Sequence, residues 1–182
     1  MYKFTKVGMG LILIETESFP DERGFFTELY RKSEFKKGGV EDNLVQENLS
    51  YSHKGVLRGL HYQRNPMAQG KLINVLKGNI FDVTVDIRKG SPTFGKWYCV
   101  ELSAANNKML WIPEGFAHGF FALEDSHVFY KTNREYSKEH EGGILWNDPD
   151  IGIVWPVKDP KVNKRDGAFA KLKDAQAGFT YV

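Results

Sequence analysis

Two of the five histidines in this chain keep company that points to chemistry. His61 lies in GVLRGLHYQ (55–63), where Val56, Leu57 and Leu60 mark a strand that helps build a core. The Arg58 guanidinium and the His61 imidazole occupy positions there that a core would fill with Leu or Ile. His118 follows a tight turn in PEGFAHGF (113–120). Taken alone, a histidine in a strand is more often a partly buried structural residue than a catalytic one. Near pH 7, however, a positioned imidazole can take a proton, which contributes roughly 10²–10⁴-fold to a rate. Arg58 can offer a phosphate its planar fork of donors. In a regular strand the two side chains face opposite sides. Both reach one ligand only if the strand bulges or the ligand extends past the barrel rim, and Gly59 between them is the natural bulge site.

The elements that must position these residues read as short strands. We expect them at Gly10–Glu15, Phe25–Arg31, Leu44–Tyr51, Val56–Gln63, Lys71–Leu76, Asn79–Arg88, Lys96–Leu102, Met109–Ile112, His118–Ala122 and His127–Asn133. Turn signals separate them: KGN (77–79), KGSPTFG (89–95), SAANN (103–107) and PEG (113–115). The clearest is IFDVTVDIRK, in which Phe81, Val83, Val85 and Ile87 point one way and Asp82, Thr84, Asp86 and Arg88 the other. Helical signal is weak. Ser33 is expected to cap a short helix through Lys37, stopped by Gly38-Gly39, and the last fifteen residues hold a second candidate. After Trp146 the stretch NDPDIGIVWPVKDP should wrap the core irregularly. About ten short strands at this spacing call for a closed barrel or double-sheet jelly roll, mainly β with a few short peripheral helices, as one domain over 1–182.

Composition narrows the functional classes. The net charge of +2 is too small to predict a nucleic-acid or membrane surface, and no Lys/Arg run argues for either. Cys99 is the only cysteine, which leaves no disulfide framework and no cysteine-based zinc site. The longest apolar runs, such as GLILI (10–14), fall far below membrane-spanning length, and MYKFTK lacks the apolar core of a signal peptide. A cytoplasmic protein is the expectation. The 14% aromatic content and 18 glycines suit strands joined by tight turns.

The stretches around His61 and His118 resemble the paired motifs of the cupin superfamily of jelly rolls. Gly55, five residues and His61 fit the first motif, as do Lys71, six residues and Gly78; Pro113, Gly115 and His118 fit the second. The second metal-binding His is Gln63 here, and the metal-binding Glu is Lys71. Divalent metals want carboxylates and neutral imidazoles, and an ammonium repels them. No metal and no cofactor are therefore expected. A lysine in that place can instead stabilise negative charge developing on a substrate oxygen, which favours enolate chemistry. Read without the motif, Lys71 is as well explained as a strand-end lysine reaching for solvent.

The match then narrows. FPDERGFFTE (19–28), QENLSYSHKGVLRGLHYQ (46–63), QGKL (69–72), GNIFDVTVDIRKGSPTFGKW (78–97), IPEGFAHGF (112–120) and EGGILWNDPDIGIVWP (141–156) resemble the dTDP-4-dehydrorhamnose 3,5-epimerase family, in order, over about residues 2–170. The resemblance implies a dTDP-linked 4-keto-6-deoxyhexose as substrate, epimerised at C3 and C5. It implies His61 as general base, Tyr130 as proton donor on the opposite face, and Lys71 beside the C4 oxygen. Asp166, in NKRD, would orient His61, with Asp82 and Asp86 as rivals for that role. Arg23, Phe26, Glu28, Gln46, Asn48, Arg58, His118, Glu141 and Arg165 match substrate-binding positions, Arg165 where many relatives carry Lys. The resemblance also implies a homodimer with N-terminal strands crossing between subunits. Three alternatives stand beside it: epimerisation at C3 alone, a metal-dependent cupin enzyme, and a non-catalytic sugar-binding roll.

Overall fold

The computed structural model describes residues 1–40 and 43–181. Its strands, in chain order, are β1 (Tyr2–Lys6), β2 (Ile12–Thr16), β3 (Ser18–Asp21), β4 (Gly24–Thr27), β5 (Gln46–Ser52), β6 (Leu57–Gln63), β7 (Lys71–Lys77), β8 (Asn79–Asp86), β9 (Trp97–Ser103), β10 (Lys108–Ile112), β11 (Phe116–Ala122), β12 (Ser126–Thr132) and β13 (Glu141–Gly143). One helix, α1 (Lys32–Lys37), precedes β5, and single 3₁₀ turns occupy Lys138–His140, Asp166–Ala168 and Leu172–Asp174. A six-stranded sheet runs β1-β2-β10-β7-β12-β5, a five-stranded sheet β13-β6-β11-β8-β9, and β3-β4 form a separate hairpin.

The two large sheets face each other. Ile73, Val75, Leu110, Ile112 and Val128 of one interleave with Ile80, Leu102, Phe116 and Phe120 of the other in a single buried cluster. Of the closed barrel and the double-sheet jelly roll that the strand spacing allowed, this is the jelly roll, the cupin-type form that the resemblance implied. The outer face of the five-stranded sheet is covered as well. Ile151, Ile153, Trp155, Leu172, Ala177 and Phe179 from the irregular C-terminal wrap pack there on Val83, Val85 and Ile87. On the outer face of the six-stranded sheet, Phe35 of α1 and Val40 cover Ile12, Ile14, Met109 and Trp111.

This layering explains β8. Phe81, Val83 and Val85 lie under the C-terminal wrap, and the polar alternates Asp82 and Thr84 are 0% exposed because they face the barrel interior instead of water. Polar groups placed there need partners or a ligand.

The bulge expected at Gly59 is present. β11 pairs with β6 through His118↔His61 and Phe120↔Arg58, so two steps on β11 oppose three on β6. The extra residue brings Arg58 and His61 to one side. Gly59 has φ +138°, and a Cβ there would stand 2.6 Å from the Gly119 Cα, so two glycines meet where the strands close up.

Some expectations need correction. The helix begins at Lys32 with Arg31 as its cap and no side-chain cap bond, so Ser33 lies inside it. Packing anchors it instead: Phe35 is 0% exposed and sits edge-on to Tyr2 and Phe4. The strand expected to run to Arg31 stops at Thr27, because Leu29 and Tyr30 turn onto the Phe35 cluster. Among the described residues of the C-terminal segment, helical structure is limited to the Leu172–Asp174 turn and the end of the Asp166–Ala168 turn. β1, β3 and β13 were not anticipated; β13 is three residues, EGG, defined only by pairing with β6. Among the described residues, no helix is long and apolar enough to cross a membrane.

Candidate active site

One end of the barrel interior is polar and open. His61, Lys71, Tyr130, Arg58, His118 and Arg165 all line a cavity there of about 230 Å³. An adjoining lobe of about 120 Å³ shares His61, Lys71, Tyr130 and Glu141, and adds Gln46, Asn48 and Tyr136. Each residue arrives by simple geometry. Lys71 is inward on β7 with Ile73; Tyr130 on β12 is the register partner of Ile73 and of Asn48 on β5; His118 on β11 pairs with His61 on β6.

Asp166 reaches the site because the chain returns. Lys161 forms a parallel bridge with Val56 and exchanges backbone bonds with Gly55 and Leu57, which lays residues 163–166 against β6. The Asp166 carboxylate, 0% exposed, accepts a bond from His61 Nε2 at 2.9 Å and another from the Gly59 N–H at 3.0 Å. One side chain thus pins both the bulge and the imidazole. Since a carboxylate only accepts, Nε2 carries the proton and Nδ1 keeps its lone pair. Burial lowers the His61 pKa, opposed by the bond to Asp166 and reinforced by the Lys71 and Arg165 cations, so the ring is neutral near pH 7. Burial pushes the Asp166 carboxyl up, but the bonds from His61 and Gly59 hold it below the usual range.

The rivals for Asp166 are engaged elsewhere. Asp82 accepts a bond from His118 Nε2 at 2.7 Å, and Asp86 accepts from Arg88, Ser91 and Thr93. A second His–Asp pair therefore stands beside the first, on the neighbouring strands of the same sheet. The other Asp82 oxygen is buried without a hydrogen-bond partner among the described residues. Its charge bears on Lys71, whose Nζ makes only a 3.5 Å contact with the His61 carbonyl. Burial brings the Lys71 ammonium down from 10.5 to about 8, with Asp82 and Glu141 opposing. Tyr130 moves the other way: burial raises its phenol, so it holds its proton.

A divalent cation does not fit this donor set. An ammonium stands among the imidazoles, and Gln63 spends its amide on the Met67 and Glu135 carbonyls and the Ser137 N–H. Among the described residues, no group of three His, Cys, Asp or Glu could hold a metal ion.

Arg58 is braced by Ser52 Oγ (2.8 Å) and the Tyr51 carbonyl (2.9 Å). Gln46 donates to Asn48 at 2.9 Å and accepts from the Tyr136 N–H at 2.8 Å, so these strand residues face the adjoining lobe and not open water. Glu141 binds Arg165 Nη1 through both oxygens (2.9 and 3.0 Å) and accepts from the Tyr136 hydroxyl at 3.1 Å. Tyr136 was not foreseen. Its one signal is that it is a lone aromatic among charged residues in NREYSKEHE.

Arg23, Phe26 and Glu28 lie outside this cavity. Arg23 is paired with Asp21 on the exposed hairpin turn, Phe26 is 68% exposed, and Glu28 binds Arg31 and Tyr2. Phe25 and Phe26 line a separate groove with Val75, Leu76 and Asn74.

The family model described as dTDP-4-dehydrorhamnose 3,5-epimerase matches residues 7–174. The chain is 54% identical over 167 residues to the dTDP-4-dehydrorhamnose 3,5-epimerase of Shigella flexneri, covering 91% of this chain and 92% of that protein. The crystal structure of the Sulfolobus tokodaii enzyme of the same name aligns with TM-score 0.91 at 49% identity, over 97% of this chain and 98% of that one. A dTDP-6-deoxy-D-glucose-3,5-epimerase from Legionella pneumophila, solved with dTDP-4-keto-L-rhamnose, aligns over the full length of both chains with TM-score 0.94 at 42% identity. Matches of this extent at these identities are those of shared descent, and the chain belongs to the dTDP-4-dehydrorhamnose 3,5-epimerase family.

Proposed function

We propose that this protein is an isomerase that converts dTDP-4-dehydro-6-deoxyglucose to dTDP-4-dehydro-L-rhamnose by inverting C3 and C5. One observation carries the proposal. A neutral imidazole, fixed by a buried carboxylate with its free nitrogen available, shares a cavity with a protonated phenol and a half-buried ammonium.

The chemistry follows from these three groups. The C4 carbonyl of the sugar acidifies C3–H and C5–H. His61 Nδ1 takes a proton, Asp166 stabilises the imidazolium that forms, and the C–H electron pair moves onto the C4 oxygen. Lys71 stabilises that oxyanion, an interaction whose loss typically raises a barrier by about 2.7–4 kcal/mol. Tyr130 then returns a proton to the carbon from the opposite face, and the configuration inverts. Once water has taken the proton from His61 and returned one to the Tyr130 phenolate, the same cycle serves the second carbon. Arg58 and Arg165 supply cations for the diphosphate. Gln46, Asn48, Glu141 and His118 orient the rest of the molecule.

The protein works as a homodimer in this reading, with the β3-β4 hairpin of each copy completing the partner's site. Support comes from what the single chain leaves exposed. Phe25 (72%) and Phe26 (68%) stand out on the hairpin, and Leu49, Tyr51 and Leu76 are uncovered on the sheet. The buried Asn74 Nδ2 in the groove between them has no partner among the described residues. We assign the cytoplasm as its compartment, on the lone Cys99, which leaves no disulfide framework. The test of the activity is direct: purified protein incubated with dTDP-4-dehydro-6-deoxyglucose should give the L-configured ketosugar by NMR. An unchanged substrate would refute it.

A further inference from the structure

For a residue meant to meet an anion, Arg165 is turned the wrong way. Its guanidinium faces the base: Nη1 binds Glu141, Nε donates to Asp166 Oδ1 at 3.3 Å, and Nη2 lies 3.4 Å from His61 Nε2. It therefore shares with His61 a single carboxylate oxygen, which the imidazole reaches at 2.9 Å. Charge gives this placement two effects. A cation so close disfavours a second positive charge on the ring. A donor on Asp166 Oδ1 also draws off density that would otherwise strengthen the base.

The contacts to the pair are long, and the Arg165 side chain is 52% exposed, so the carboxylate of Glu141 is what holds it in place. A carboxylate is a poor lining for a site that takes a diphosphate. It is a sensible one if its task is to hold a cation that the diphosphate later claims. A lysine could not take up this arrangement, because one point charge cannot span Glu141, Asp166 and the imidazole together.

We propose that Arg165 is a positioning residue that restrains the His61–Asp166 pair in the empty site and releases it when a substrate diphosphate draws the guanidinium off Glu141. The release half rests on the epimerase reading above; the restraint half does not. The other titratable groups about the imidazole are Lys71 on β7, Tyr130 on β12, His118 on β11, Glu141 on β13 and Arg58 on its own strand. Of these, Lys71 also opposes the imidazolium, but it is half-buried and inward on β7, whereas the Arg165 side chain is 52% exposed. A forked, charge-assisted bond to a diphosphate outcompetes an exposed ion pair, so the exchange is favourable. The result is a base that strengthens only once substrate is bound.

The test combines NMR titration of the His61 ring in the free protein with pH profiles of turnover for wild type, Arg165→Gln and Arg165→Lys. In free R165Q the His61 titration should move up. Because kcat/KM reports the free enzyme and kcat the complex, the acid limb of kcat/KM should move up with it while that of kcat stays. Arg165→Lys should recover KM without recovering the wild-type His61 titration. An identical His61 titration in wild type and R165Q overturns the restraint. Equal movement of both limbs overturns the release. Absence of any turnover, with the His61 shift intact, removes the epimerase reading and the release with it and leaves the restraint standing.

Discussion

Lys71 is an ammonium that destabilises the fold it serves. It is half-buried at the polar end of the barrel, its one bond among the described residues is long, and desolvation there sets its pKa at about 8 against an ordinary 10.5. At 1.36 kcal/mol per unit, that difference withholds on the order of 3 kcal/mol of stability at pH 7. The sign follows from linkage. The folded pKa lies below the unfolded one, so between pH 8 and 10.5 the unfolded chain binds more protons and stability rises with pH; below 8 both states are charged and the penalty is constant. Lys71→Met keeps the length and removes the charge, but leaves Asp82 with His118 as its single partner. We therefore expect a net gain of about 1–3 kcal/mol at pH 7, below the full figure. Urea unfolding of wild type and variant at pH 7 and pH 10 measures it, and the gap should narrow at pH 10. Activity should go the opposite way, with kcat down about 10²–10³-fold for the lost oxyanion donor. Wild-type turnover should also fall as pH rises through about 8. A K71M protein less stable than wild type at pH 7, or a gap indifferent to pH, would refute the reasoning.

Three further outcomes are expected. Gly59→Ala places a Cβ 2.6 Å from the Gly119 backbone at φ +138°, so urea melts should show a loss of about 2–4 kcal/mol, with turnover falling as the bulge distorts. Asp166→Asn keeps the shape but presents an amide donor to Nε2, which moves the ring proton to the nitrogen that must accept. Its kcat should drop about 10²–10⁴-fold while the melt changes by only about 1–3 kcal/mol. Mixing His61→Asn with Arg23→Ala protein, each nearly inactive, should restore activity if the hairpin completes the partner's site. Size-exclusion of the mixture as monomers, with no recovery, would exclude that exchange.

Much of the barrel was legible because its strands alternate in ways only a two-layer interior allows. β8 is the best case: apolar alternates marked one face, although it took the C-terminal wrap over Val83 and Val85 to show that neither face meets water. β13 was illegible for a physical reason. Two glycines and a glutamate carry no strand propensity, and only pairing with β6 makes them a strand. Ser33 misled because a six-residue helix is held by Phe35 in its aromatic nest more than by its cap. At the site, the parity conflict between Arg58 and His61 exposed the Gly59 bulge from sequence alone. The pairing of His118 with Asp82 did not show, because two residues 36 apart meet only through the β11-β8 register. Arg23, Phe26 and Glu28 were read as one site with His61, yet a single chain keeps them apart.

The division of labour between His61 and Tyr130 is open to one direct measurement. Wild type, His61→Asn and Tyr130→Phe are incubated with dTDP-4-dehydro-6-deoxyglucose in D₂O, and deuterium at C3 and C5 is followed by NMR beside the configuration of each carbon. Wild type should take up deuterium at both carbons and invert both. Y130F should exchange without inverting, since the base can return a deuteron only to the face it came from, and H61N should do neither. Exchange by H61N at the wild-type rate would contradict the assignment of the base and the mechanism built on it.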